Sequence, residues 1–294
     1  MRRHTPSRGA SVRRKMRPMT DPSWLLDAAT FTGRHAVPLY FALLALVLGT
    51  AWLGSRWLLP DRGGPAAAPE PLAPAALLIR LAAGFLFIVG GAMLFAEIAE
   101  ELHTERTLGL MDEAFITAMI DHVPDVVVHA FYLLTFLGNR DTLIAIAIVV
   151  TLGLLWRKRR GLALGWLLAM IGNALLNPTL KQVFERARPV HPTHWLTEEG
   201  FSFPSGHSSG TVVVLGMLAY LAVRLLPRRW HVPAWVAAAG LAFSVGASRV
   251  FLRVHFPSDV LAGFASGAAW LAVAIASVEL ARWSHRRRRA ARSG

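Results

Sequence analysis

Apolar residues in this chain come in long runs separated by short polar or basic stretches. The runs cover residues 36–59, 76–96, 142–156, 162–176, 210–226, 232–250 and 260–280. Several approach the roughly 20 residues that cross a hydrocarbon core at the helical rise, and the shorter ones can borrow flanking residues. A set of buried core helices is the competing reading. Seven such runs in 294 residues favour an all-α, polytopic membrane bundle instead.

Composition agrees with that pattern. The chain is 54% hydrophobic, above the roughly 45–50% usual for a soluble domain, and its mean hydropathy is +0.44. A net charge of +13 would by itself suit a nucleic-acid partner. The placement of the charge argues against one, because the basic residues gather where apolar runs end. Arg157-Lys158-Arg159-Arg160 separates two runs, Arg224, Arg228 and Arg229 separate two more, and Arg282 with the arginines at 286–289 follows the last. By the positive-inside rule all three clusters are cytoplasmic. With no cysteine, the chain has no disulfide framework and its redox compartment cannot be read.

These clusters set the direction of the C-terminal half. The run at 142–156 goes inward, 162–176 outward, 210–226 inward, 232–250 outward and 260–280 inward. Residues 178–209 and 251–259 then both face outward, towards the periplasmic or extracytoplasmic side of the membrane. Trp156, Trp230 and Trp283 beside the basic clusters, and Trp195 in the outward loop, fit interfacial aromatics. The N-terminal half is less regular. Residues 1–23 predict a disordered, basic, cytoplasmic arm and 60–74 a Pro/Ala/Gly linker, while 97–125 is acidic and amphipathic and suits an outward surface. A cytoplasmic start, two full spans and an outward acidic segment are mutually inconsistent. Either the run at 36–59 starts outside, or an early run is re-entrant, or 122–138 also crosses.

Three short stretches carry candidate chemistry: Lys181 with Arg188-Pro189, then Pro204-Ser205-Gly206-His207, then Ser248-Arg249 with His255 and Asp259. Helix direction brings all three to the outward face. A phosphate-ester site that uses no metal needs fixed cations for the phosphoryl oxygens, an in-line nucleophile, and an acid for the leaving group. Lys181, Arg188 and Arg249 supply the cations. Lys181 and Arg188 are seven apart, two helical turns, so they are expected to share a helix face, with Pro189 ending that helix. Ser205 and Gly206 open a helix, where free amides bind anions and the Ser205 hydroxyl can add a contact. Asp259, four residues after His255, can hold its imidazole in one tautomer. His255 is therefore the expected nucleophile, forming a phosphohistidine, and His207 the acid and then the base.

In the order Lys-x6-Arg-Pro, Pro-Ser-Gly-His, Ser-Arg-x5-His-x3-Asp, the chain resembles the type 2 phosphatidic acid phosphatase superfamily, which also includes vanadium haloperoxidases and glucose-6-phosphatase. Every signature position is intact, and the resemblance extends over about 95–280, including a Thr135-Phe136-Leu137-Gly138 start to a core helix. It implies cofactor-free, metal-independent dephosphorylation of a membrane lipid and a core of six membrane helices. The phosphatase domain then covers 76–281, the run at 36–59 is an extra N-terminal segment, and 282–294 is a basic cytoplasmic tail. The substrates implied are undecaprenyl diphosphate, phosphatidylglycerophosphate or phosphatidic acid, the Gly200-Phe201-Ser202-Phe203 stretch resembling that bacterial branch. Arg253 departs from the family, many relatives having Gly, and is expected as an extra cation near the pocket.

Plainer roles suit other residues. Asn173 and Asn177 fit interhelical packing, and His191, His194, Glu198 and Glu199 a solvated loop. Arg186 either touches phosphate or pairs with Glu185. His122, Asp121 and Asp125 mimic a metal cluster but fit an exposed face, so no metal is expected. The alternative function is a non-catalytic protein that binds or translocates phospholipids with a retained site; both histidines being present favours the enzyme.

Overall fold

The computed structural model describes residues 23–58, 74–104, 107–190, 196 and 198–293. The basic arm before Ser23, the linker up to 73, and His191, His194 and Trp195 lie outside them. The described chain is helical: α1 (Ser23–Arg34), α2 (Ala36–Leu58), α3 (Pro74–Thr104), α4 (Thr107–Ile120), α5 (Asp125–Thr135), α6 (Arg140–Trp156), α7 (Arg160–Phe184), α8 (Gly206–Leu225), α9 (His231–Phe251) and α10 (Pro257–Ser293). In α2, α7, α8, α9 and α10 there are stretches long and apolar enough to cross a membrane unaided, and the chain is an integral membrane protein.

α8 is the axis of the bundle. Two thirds of its apolar window is buried, whereas α2 buries only 6% and leaves its surface for lipid. Buried Trp166, Val213, Met217, Tyr220, Leu271 and Ala274 knit α7, α8 and α10 together. Small residues allow the close crossings, as expected where lipid removes the hydrophobic drive between helices. A Cβ on Gly263 would lie 2.6 Å from the Ser205 carbonyl oxygen, and one on Gly267 would lie 2.8 Å from Ser209 Cα. The basic turn between α6 and α7, the Arg228–Trp230 turn and the late part of α10 lie at one end of the bundle. The ends of α7 and α9 and the starts of α8 and α10 lie at the other, the site face.

α3 packs on α10 with Gly91 against Ala265 and Ala269, and Ile98 and Ala99 clustered with Ala262 and Phe203. It therefore runs towards the site face. With α6 to α10 it makes the six-helix core, and α2 is the added helix. α4 and α5 meet at 120°, and by composition the pair could be one broken span. Its contacts place it otherwise. Ile116 and Met119 cluster with Phe251, Phe256 and Val260, Val128 with Leu252 and Val254, and Thr135 accepts a hydrogen bond from Arg249. Both arms thus lie across the site face.

α1 rests on this pavement, its Gly33 fitting against the Phe115 carbonyl. α2 begins there too: Ala36 joins the Ile116–Phe251 cluster, Tyr40 hydrogen-bonds Ser244 at 2.9 Å, and Leu44 and Leu48 reach Gly240. α2 starts on the site face and leaves it, so the run at 36–59 begins at the same end of the bundle as the three motifs.

Candidate active site

α7 does not stop at the end of its apolar run but continues through Pro178 to Phe184. Glu185 then adopts a left-handed conformation, φ 45°, and ends the helix. Lys181 therefore lies on the last turn and Arg188 in the loop beyond it, which corrects the expectation that both share one helix face. Lys181 Nζ donates to the Phe201 carbonyl. Arg188 is held by the backbone: Nε donates to Gly200 O at 3.0 Å, and the terminal nitrogens to Val254 O at 2.8 Å and Glu199 O at 3.2 Å. Glu199 and Gly200 thus close on this guanidinium from the loop, and Val254 from the turn before α10.

His255 lies in the five-residue turn between α9 and α10, where Pro257 takes the first helical position. Its Nδ1 is 3.3 Å from Asp259 Oδ2 and its Nε2 is 3.2 Å from an Arg188 nitrogen. Guanidinium can only donate, so Nε2 is the bare acceptor and Nδ1 carries the proton towards Asp259. That is the tautomer a nucleophile at Nε2 requires. Burial, against the pull of Asp259, pushes the His255 pKa down to about 4, so the ring is neutral at pH 7.

Asp259 divides its two oxygens. Oδ2 accepts from the Ser202 hydroxyl, from the Phe256 amide at 2.9 Å and from His255 Nδ1. Oδ1 accepts from Arg186 at 2.6 Å. Arg186 does not pair with Glu185 as expected in one of its two readings; it bridges Asp259 and Asp112, the latter at 2.8 Å, over the Phe256 ring.

His207 opens α8 from the far wall. Its Nε2 pairs with Asn139 Oδ1 at 2.9 Å, leaving Nδ1 for proton transfer. Gly138 permits this approach, since a Cβ there would come within 2.9 Å of the His207 ring. Ser205 is fully buried, its hydroxyl accepting from Ser208 Oγ at 3.0 Å and its amide donating to Asp259 O at 3.0 Å. The hydroxyl therefore caps α8 rather than reaching into the cleft. Asn177 braces the same turn through Ser209 at 3.2 Å.

Arg249 is fully buried. It donates to Thr135 Oγ1 at 2.7 Å and to the Glu198 carboxylate, and its Nε is buried with no partner among the described residues. Glu198, expected in a solvated loop, is also 4.0 Å from Arg188. A carboxylate thus sits between two of the three cations. Lys181, Arg188, His207 and His255 line a cleft of about 390 Å³ with Gly206, Glu198 and Phe201. Arg253 is not among its lining residues: with φ 56° it occupies the left-handed conformation that glycine favours. Burial lowers its pKa, and its charge interactions are with Asp125 and Asp121 rather than with the site. His122 bonds back to the Ala118 carbonyl at 2.9 Å. Among the described residues no three acidic or histidine side chains gather as a metal cluster.

Comparison with known proteins places this geometry. Residues 162–283 match the PAP2 superfamily. The crystal structure of a transmembrane PAP2-type phosphatidylglycerolphosphate phosphatase from Bacillus subtilis superposes with a TM-score of 0.62 and 30% identity over 96% of that chain and 66% of this one. This chain belongs to the PAP2 superfamily. Among curated PAP2-type relatives, phosphatidylglycerophosphatase B of Bacillus subtilis is 36% identical over 141 residues, 46% of this chain and 66% of the relative. An undecaprenyl-diphosphatase of Sulfolobus acidocaldarius is 29% identical over 45% of this chain and 62% of its own. A lipid A 1-phosphatase of Rhizobium johnstonii is 34% identical over 41% and 51%. The chain therefore spans about half to two thirds of the length of these curated relatives. Asp112, Thr135 and Asn139 fall before the matched family segment, and reach the site only through the α4–α5 pavement and the start of α6.

Proposed function

We propose that this PAP2 chain is a membrane lipid phosphatase acting through a phosphohistidine at His255, within a phosphatase domain covering 76–281. The observation that carries this reading is the His255 ring, with Nδ1 on Asp259 and its bare Nε2 beside Arg188 in a cation-lined cleft. Nε2 attacks phosphorus, and the bond from phosphorus to the lipid oxygen breaks as His207, entering as the imidazolium with the anionic substrate bound, passes its Nδ1 proton to that oxygen. Lys181, Arg188, Arg249 and the Gly206 amide hold the phosphoryl oxygens, Arg249 Nε gaining the partner it lacks. Water, deprotonated by His207, then attacks the phosphohistidine, releasing phosphate and restoring Nε2.

The cations and amides of the site are sufficient for this chemistry, so the activity is metal-independent. The basic bundle end is cytoplasmic by the positive-inside rule, which puts the cleft on the outer face of a bacterial cell membrane. The relatives support phosphatidylglycerophosphate and undecaprenyl diphosphate as substrates, with phosphatidic acid as a third. The test is phosphate release by purified protein from each of the three lipids in detergent, with and without a chelator. Chelator-resistant turnover that disappears in His255→Ala supports the reading. Turnover by that variant close to wild type would overturn the nucleophile.

A further inference from the structure

Asp112 is fully integrated into the site and has no part in the steps above. It lies on α4, outside the three motifs and before the matched family segment, and it is 4% exposed. Its Oδ2 accepts from Arg186 at 2.8 Å and from the Ser258 hydroxyl, and its Oδ1 accepts from the Ser258 amide at 3.2 Å. It does not line the cleft. Its position relative to Arg186 gives it a task, because Arg186 also donates to Asp259 Oδ1 at 2.6 Å. A carboxylate facing a single arginine tends to take both forks of the guanidinium, using both its oxygens. Asp259 does not do so here. The second fork is taken by Asp112, so Asp259 keeps Oδ2 for His255, Ser202 and the Phe256 amide.

We propose that Asp112 is a positioning residue for the phosphatase reaction: it occupies one fork of Arg186 and so holds the oxygen of Asp259 that orients His255. The inference rests on the reading of His255 as nucleophile. Asp112 also neutralises the guanidinium, and without it the whole positive charge of Arg186 would fall on Asp259 and weaken its hold on the His255 proton. Ser258, at the start of α10, fixes the geometry by bonding Asp112 through both its amide and its hydroxyl. α4 is thereby clamped to the turn that carries His255.

The test is the near-isosteric Asp112→Asn variant. Turned either way, it sets its NH2 against a donor, Arg186 or the Ser258 amide, and it removes the negative charge facing Arg186 while keeping the volume. The expected result is a loss of roughly 10-fold in kcat with KM within about 2-fold of wild type, as is typical when a supporting partner of a reacting group is removed. The acidic limb of kcat/KM should also move to lower pH. The charged and titratable groups facing His255 are Asp259 from α10, Arg188 from the loop, and Arg249 and His207 from α9 and α8. The substitution alters none of them directly, so a moved limb reports a change passed through Arg186 and Asp259. A variant that had merely lost folded protein would lower kcat with the limb unmoved, and that result would overturn the proposal. So would unchanged kinetics, or a rise in KM alone.

If Asp112→Asn does not purify in folded form, Arg186→Lys reads the same bridge. Its single ammonium cannot span two carboxylates in forked geometry, and the same kcat loss with a moved limb is expected. His255→Ala, run alongside, separates the two readings. An inactive His255→Ala with a normal Asp112→Asn refutes the positioning role alone, whereas an active His255→Ala refutes the nucleophile on which it rests.

Discussion

Asp259→Asn is the most exposing perturbation of this site. The carboxylate is fully buried and serves four donors, three on Oδ2 and one on Oδ1. Asparagine has the same shape but only one acceptor oxygen, so it must aim its NH2 at one of the two sets. Turned towards Arg186, it sets donor against donor and removes the negative partner of a buried cation. Turned towards His255, it takes the acceptor from Nδ1–H and favours the tautomer protonated on Nε2, which cannot attack phosphorus. Breaking a buried ion pair costs about 3 kcal/mol of stability, here moderated because Arg186 keeps Asp112. A wrongly held tautomer costs roughly 10³- to 10⁴-fold in kcat, or about 4–5.5 kcal/mol of transition-state stabilisation. The hydrogen bond and charge of Asp259 raise the His255 pKa against burial. Wild type should therefore gain activity as pH rises through about 4, and the variant should show that limb at lower pH. The assay is phosphate release in detergent from pH 3.5 to 8, with the folded fraction fixed by thermal melting. A variant with kcat within about 3-fold of wild type and an unmoved limb would refute the assigned role of Asp259.

Four further outcomes follow from the same geometry. Ser205→Ala removes a helix cap, so it should lower stability by about 1 kcal/mol while leaving KM within about 2-fold; a 10-fold rise in KM would mean that the hydroxyl contacts phosphate after all. Glu198→Gln takes away the carboxylate shared by Arg249 and Arg188, and orthophosphate should inhibit about 5-fold more strongly, the equivalent of about 1 kcal/mol for one partly exposed pair. Gly263→Ala would push a methyl against the Ser205 backbone and should cost about 1–3 kcal/mol in a melt. Finally, His255 is buried neutral and its pKa is lowered, so the unfolded chain binds its proton first as pH falls. Stability should drop between about pH 6.5 and 4, and a His255→Gln melt over that range should lack this component.

The parts of the site readable from sequence were those with local spacing or a role set by helix direction. His255 and Asp259 are four apart, Ser205 opens a run, and the alternation of basic turns brings all three motifs to one end. What stayed hidden depended on pairs far apart in the chain. Asp112 stands beside Glu113 in an acidic stretch and differs from it only through Ser258, 146 residues on. Ser202 meets Asp259 across 57 residues and Asn139 meets His207 across 68, and no periodicity encodes either meeting. Arg188 leaves its helix because Glu185, a residue with no special liking for positive φ, takes the left-handed conformation. Glu198 read as solvated loop because its partner, Arg249, is brought to it only by the fold.

α2 descends from the site face, and the described helices α2, α3 and α6 to α10 make seven passes between the two bundle ends. Seven is odd. With each pass crossing a membrane, a reporter fused at Ser23 and another fused at the end of α10 are expected in opposite compartments, the first together with the cleft. A pair of fusions active only in oxidising or only in reducing surroundings would read the sidedness of catalysis directly, with no appeal to the distribution of arginines.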